Sequence, residues 1–277
     1  MKLLLIGDFH GSFPRKFFKI IKKEKPEAIL SLGDFCQFTA RKLFFKYCWR
    51  QRRELWEIIG KKKVKEFTKK DLKSGEKVLK QLNSLPIPVF TVTGNLDYTK
   101  WKEAYNYKKL KRKASWSWLE QDFFTSLFKK YPNIKCFDYS FIQFKKFILI
   151  GMARSTFPGH VKSKEYKKQR KILETLFKRF KKEKIIFVSH NVPYNTKLDI
   201  IHSKEAQNKA RGKHYGSKLV RRLIKKYQPT LAIGGHIHES SGKDKLKKTI
   251  LINPGASHEG KAAIIEINKK VKIKFLH

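Results

Sequence analysis

The sequence predicts an α/β fold whose working residues lie along one edge of a sheet. Two observations carry that expectation. Short apolar runs recur through the chain, and each stops at Asp, Asn, Ser or His, often beside a Gly. Between the first two runs lies a segment with helical spacing, the signature of a strand–helix–strand opening.

The elements follow in order. Met1–Ile6 is an apolar run that ends at Gly7-Asp8, and Ala28–Leu32 is a second that ends at Gly33-Asp34. Between them Phe17, Phe18, Ile20 and Ile21 sit among lysines at helical intervals, and Pro26 closes the segment. The pattern returns at Val89–Val92 before Gly94-Asn95, at Ile185–Val188 before Ser189-His190, and at Leu231–Ile233 before Gly234-Gly235-His236. Thr249–Ile252 and Ala262–Ile267 complete the set, with Asn253-Pro254-Gly255 turning after the first of them. Two stretches break the rhythm. Residues at about 40–83 and 98–135 mix Lys and Arg with aromatics, among them Phe44, Phe45, Tyr47, Trp49, Trp56, Trp101, Tyr105, Tyr107, Trp116 and Trp118. Both are expected as mainly helical, basic insertions in a single domain spanning 1–277.

Composition bounds the function. The 277 residues are 40% hydrophobic, with 22 Phe, 10 Tyr and 5 Trp, which suffices for a folded core. Cys36, Cys48 and Cys136 lie far apart, against a disulfide framework or a thiolate zinc site. The N-terminal run Leu3–Ile6 is too short for a signal-peptide core, and no run nears the roughly 18 to 20 apolar residues of a membrane span. A cytoplasmic protein without a membrane span is expected. With 65 Lys+Arg against 23 Asp+Glu, the net charge of +42 invites a polyanion such as nucleic acid. A compositional bias that spreads Lys over every solvated face accounts for the same number.

The strand ends supply Asp8, His10, Asp34, Asn95, His190, His236 and His238. Carboxylate, imidazole and amide oxygen suit divalent cations such as Mn, Fe, Zn or Ni. Asp8-Phe9-His10 and His236-Ile237-His238 place alternate residues on one side of an extended chain. Seven donors are too many for one tetrahedral ion, and about right for two ions that share a carboxylate.

In this order, Asp8-Phe9-His10, Gly33-Asp34, Gly94-Asn95-Leu96-Asp97, Ser189-His190 and Gly235-His236-Ile237-His238 resemble the calcineurin-like metallophosphoesterase superfamily. Asn195–Asp199, His214-Tyr215-Gly216-Ser217, His236–Glu239 and Ile252–Gly255 are similar to its small archaeal and bacterial phosphodiesterase-type branch. The resemblance runs from residue 3 to about 257, outside the two basic stretches. It implies an αββα four-layer sandwich, in which helices flank two mixed β-sheets. It also implies two divalent metals, Mn first and Fe, Ni or Zn as alternatives. Asp8, His10, Asp34 and His238 would hold one metal; Asn95, His190 and His236 would complete the other, with Asp34 bridging. The implied reaction is phosphate ester hydrolysis by a metal-bridging hydroxide, on a diester ahead of a monoester.

One departure from the pattern matters. Many members carry His between the Asn and Asp of the third motif, as the acid for the leaving alcohol, and here the residue is Leu96. His214 is the first candidate for the acid or a phosphate contact, and His202 the second. His160, His258 and His277 lack such context and are expected as surface residues. The aromatic and basic stretches either form a helical cap or grip and stack on nucleic acid. A nuclease acting on DNA or RNA is therefore the competing activity. A nucleic-acid-binding module on a degenerate scaffold is the non-catalytic alternative.

Overall fold

Alternation along the strands decides the layering. In β1 (Lys2–Ile6), Leu3 and Leu5 face one side and Leu4 and Ile6 the other, and all four are buried. A strand buried on both faces belongs in the middle of a layered structure. The computed structural model describes residues 1–49, 51, 53–100, 116–154, 163–202 and 210–277. Arg50, Arg52, Trp101, Tyr105, Tyr107 and His160 lie outside them.

The first sheet holds β1, β2 (Ala28–Ser31), β3 (Val89–Thr91) and β4 (Ile134–Cys136) in parallel. β11 (Ala262–Ile267) and β12 (Val271–Leu276) extend it antiparallel on the other side of β1, in the order β12-β11-β1-β2-β3-β4. In the second sheet β6 (Phe147–Met152), β7 (Lys184–Asn191), β8 (Leu231–Gly235) and β10 (Thr249–Asn253) run parallel. β5 (Phe141–Phe144) and β9 (Gly242–Leu246) are its antiparallel edges, in the order β5-β6-β7-β8-β10-β9.

Six helices lie among the described residues: α1 (Lys16–Glu24), α2 (Arg41–Tyr47), α3 (Leu55–Ile59), α4 (Lys61–Asn83), α5 (Lys164–Arg179) and α6 (Lys218–Tyr227). Between the sheets pack Leu3, Leu5, Leu30, Leu149, Val188 and Ile233. On the outer face of the first sheet, Leu4, Ile6 and Ile29 meet Phe17 and Ile21 of α1 and Val78, Leu79 and Leu82 of α4. Ile148 and Phe187 of the second sheet meet Leu173 and Phe177 of α5 and Leu223 of α6. The result is the expected αββα sandwich. Ser163 and Ser217 start α5 and α6 by accepting the N–H of Tyr166 and Val220, so each helix opens with one of its orphan donors satisfied. No helix among the described residues is long and apolar enough to cross a membrane.

The two basic stretches divide. In 40–83, α2 and α3 bury none of their residues, whereas α4 lays its apolar stripe on the sheet and so forms part of an outer layer. Of 98–135 the structure describes 98–100 and 116–135. The described part holds 3-10 turns at Ser117–Glu120 and Thr125–Lys130, leading into β4, whose pairing with β3 draws it into the sheet. Phe124 and Phe128 of this part are core residues. Trp116 stacks on Trp118 at 5.0 Å, and Lys65 Nζ lies 5.4 Å from the Trp118 ring centre. These rings already have lysine partners from α4.

Candidate metal centre

Parallel strands end at a common edge, and the side chains that follow them converge there. Asp8 and His10 follow β1, Asp34 follows β2 and Asn95 follows β3; His190 lies at the end of β7, and His236 and His238 follow β8. The first loops run side by side, with Asp8 N donating to Gly33 O at 2.9 Å and His10 N to Asp34 O at 2.9 Å. The second sheet is tied in where His236 N donates to Asp8 Oδ2 at 3.0 Å.

The turns are tight enough to need left-handed backbone. Asp8 (φ 54°), His10 (φ 47°), Asp34 (φ 54°) and His236 (φ 69°) all adopt it, at about 1 kcal/mol each. Four of the seven expected ligands are thus held in a strained conformation by their surroundings. Gly94 is required by close approach, since a Cβ there would land on Asp34 Oδ1 and its backbone nitrogen.

The geometry centres on Asp34. Its Oδ1 accepts the Leu96 N–H at 2.8 Å, and its Oδ2 lies 3.5 Å from His190 Nε2 and 4.0 Å from His10 Nε2. Donor atoms of Asp8, His10 and Asp34 fall within 4.8 Å of one another, and so do those of Asp34, His190 and His236. His190 Nδ1 donates to Leu32 O at 2.7 Å, so in the neutral ring Nε2 carries the lone pair. That nitrogen faces Asn95 Oδ1 at 2.8 Å. His10 Nε2 and His238 Nε2 face each other at 3.2 Å, with His238 Nε2 3.4 Å from Asp8 Oδ1.

These are electron-rich atoms crowded together, which is the arrangement a cation stabilises. Asp8, Asp34 and His190 form a buried floor, and Asp8 Oδ1 has no hydrogen-bond partner among the described residues. A buried carboxylate oxygen whose nearest partner is an imidazole at 3.4 Å gains from a cation that meets it more closely. The ionisation pattern agrees. Burial, and then Asp97 and Asp8, push Asp34 well above the carboxylate range. Burial acts on Asp8 in the same sense, but His238 and the other imidazoles overcome it and hold Asp8 below that range. Burial and the neighbouring His190 bring His236 down to about 3, and burial with His238 brings His10 well below its usual value. Those two rings are neutral donors at physiological pH. His238 is raised, because Asp8 beside it outweighs its burial. The residues fit a pair of divalent cations.

All seven expected ligands meet at this edge. His214 has another partner: its Nδ1 contacts Asp199 Oδ1 at 2.7 Å, and the buried Asp199 also accepts the N–H groups of Asn195, Thr196 and Gly216. His202 is exposed. His258 is exposed, as expected of a surface residue, yet it is not remote from the cluster. It lies with His10 and His238, their ring centres 4.7 and 5.3 Å away, because its 3-10 turn follows β10 to the same sheet edge. Asp97 has the largest unforeseen part. Its Oδ2 accepts from Asp34 N (2.9 Å) and Gly94 N (2.8 Å), and its Oδ1 from Phe35 N (2.8 Å) and Cys36 N (3.2 Å). It fastens the Asp34 loop to the Asn95 loop without touching the cluster's centre.

Comparisons with known proteins bear on this arrangement. Uncharacterized protein MJ1162 of Methanocaldococcus jannaschii is 39% identical over 72 residues, 25% of this chain and 30% of that protein, so the match spans less than a third of the relative. One solved chain superposes with a TM-score of 0.69 at 20% identity, over 99% of this chain and 98% of its own. TT1561 of Thermus thermophilus gives 0.53 at 16% over 99% and 97%, and a dimetal phosphatase from Danio rerio gives 0.56 at 12% over 99% and 95%. At such identities the likeness is one of fold. A family model for metallophosphoesterases of the calcineurin superfamily matches residues 1–276. This chain therefore belongs to the calcineurin superfamily of metallophosphoesterases, enzymes that use divalent metals to hydrolyse phosphate esters.

Proposed function

We propose that the chain is a two-metal phosphodiesterase. The observation that carries the reading is Asp34, whose one free carboxylate oxygen lies between His10 and His190 and belongs to two donor groups at once. Asp8, His10, Asp34 and His238 would hold one cation, and Asp34, Asn95, His190 and His236 the other. Mn comes first on the family the motifs resemble, with Fe, Ni and Zn as alternatives that the mixed carboxylate, imidazole and amide donor set also suits. When bound, such a pair supplies activated water at neutral pH and offsets charge on phosphoryl oxygens.

The chain's own residues prepare that site. Leu96 N–H orients the Asp34 carboxylate, Leu32 O sets the His190 tautomer, and Asp97 keeps the two loops in register. The Leu96 side chain transfers no proton, so a leaving alcohol needs another donor. His214 is that candidate, or a contact to a phosphate oxygen, with its Nδ1 fixed by Asp199. The preference for a diester rests on the branch that the sequence motifs resemble. Cys36 and Cys48 are buried free thiols, which suits a reducing, cytoplasmic setting.

The test is hydrolysis of bis-p-nitrophenyl phosphate and p-nitrophenyl phosphate by metal-stripped protein, with Mn, Ni, Zn or Mg restored and Asp34→Asn run alongside. Metal-dependent turnover of the diester, weaker turnover of the monoester and none in the variant are expected. No turnover with any metal, despite two ions bound per chain, overturns the reading in favour of a nucleic-acid-binding module.

A further inference from the structure

We propose that His258 is an eighth ligand of the centre, so that the cation on the His10–His238 side meets three imidazoles. The inference rests on the two-cation reading above and adds a residue that the strand-end motifs do not contain.

The turn that carries His258 is built into the site. Ser257 N donates to Gly7 O at 2.8 Å, Gly7 N donates to Ser257 Oγ at 3.0 Å, and His258 N donates to Asp8 O at 3.3 Å. The residue is thus stitched to the loop that presents Asp8 and His10, although 250 positions separate it from Asp8. The three rings form a near-equilateral triangle, with centres 4.7, 4.9 and 5.3 Å apart. One ring nitrogen from each of His10, His238 and His258 falls within 4.8 Å of the others.

The orientation of the ring strengthens the assignment. His258 Nδ1 lies 2.9 Å from Asp8 O and donates to it, which leaves the lone pair of the neutral ring on Nε2. Metal-binding histidines are habitually fixed in this way, by a hydrogen bond from the other nitrogen to a carbonyl or carboxylate. His190 has the same signature, with Nδ1 on Leu32 O. His258 Nε2 comes no nearer to Glu259 Oε1 than 3.9 Å, and that carboxylate has Lys261 as a closer partner. A third imidazole beside Asp8 and Asp34 shifts this position towards imidazole-preferring ions such as Zn or Ni, and away from Mg.

The experiment is titration calorimetry with Zn(II), and separately with Mn(II), on the metal-stripped full chain, with bound metal counted by elemental analysis. In His258→Asn the amide nitrogen can still donate to Asp8 O, but nothing remains at the Nε2 position. Ser257→Ala loosens the same turn and keeps the ring. Wild type should bind two ions. His258→Asn should keep one of them and bind the other about 100-fold more weakly, with a larger loss for Zn than for Mn, while Ser257→Ala stays within a few-fold of wild type. Two ions bound by His258→Asn at wild-type affinity overturn the assignment alone. An equal loss in Ser257→Ala also overturns it, because the turn and not the ring would then matter. Wild-type protein that binds no ion overturns this inference together with the two-cation reading.

Discussion

Asp97→Asn tests whether the centre depends on a carboxylate that never reaches it. The amide keeps the shape of the side chain but replaces one acceptor oxygen with an NH2 group. With the remaining oxygen on Phe35 N and Cys36 N, the NH2 points at the N–H groups of Asp34 and Gly94; turned over, it exchanges one pair for the other. Either way two buried donors lose their acceptor, at about 1–3 kcal/mol each, for a total of about 2–6 kcal/mol. Burial already pushes Asp97 up, so removal of the charge returns part of the loss and favours the lower half of that range. Unfolding entropy of roughly 2.1 cal/mol/K per residue makes this a fall of about 3–7 °C in Tm for a chain of this length. Thermal unfolding should be followed with chelator present, so that bound metal does not mask the difference. Zinc titration should show both ions weakened, because the two loops that Asp97 joins carry Asp34 and Asn95. A Tm within 1 °C of wild type and unchanged zinc affinity would refute the positioning role.

Gly94→Ala puts a methyl group on Asp34 Oδ1 and should displace the shared carboxylate, weakening both ions by about 5- to 150-fold, the equivalent of a 1–3 kcal/mol overpacking cost; calorimetry reads it directly. Metal uptake should release protons, since Asp8 raises His238 against its burial and burial pushes Asp34 well up. Both groups bind protons that a cation must displace, so affinity should rise with pH, and isotherms at pH 6 and 8 should differ by at least about 10-fold. Leu96→His leaves the backbone N–H on Asp34 and restores an acid to the third motif. It should accelerate an alkyl diester by up to about 10²-fold and leave a nitrophenyl diester nearly unchanged, as steady-state rates will show.

The sequence revealed strands where an apolar run meets a chemically distinctive stop. β1, β2, β3, β7 and β8 are of this kind, and the residues that stop them are the seven donors. β6 carries no such stop: Phe147–Met152 is buried throughout, and no ligand-type residue follows it directly. β12 alternates apolar and Lys from Val271 to Phe275, the pattern of an edge strand with one wet face. His258 obeys the same strand-end logic as the other histidines, displaced five residues past Asn253 by the Asn253-Pro254-Gly255 turn. Asp97 was visible only as a letter in a motif. Its role depends on four backbone N–H groups from two loops about 60 positions apart, and local pattern does not record such a convergence.

The donors come from opposite halves of the chain: Asp8, His10, Asp34 and Asn95 precede β4, while His190, His236 and His238 follow β6. During synthesis the first half can pair β1 with β2 and β3, but it offers a cation no imidazole beyond His10. The remaining three arrive only when β7 and β8 have emerged and the second sheet has docked, and β11 must still return to pair with β1. On the two-cation reading, metal loading is therefore a late, post-translational event that reports correct assembly of both halves. A chain stalled between them would present carboxylates without their partners and would not retain metal.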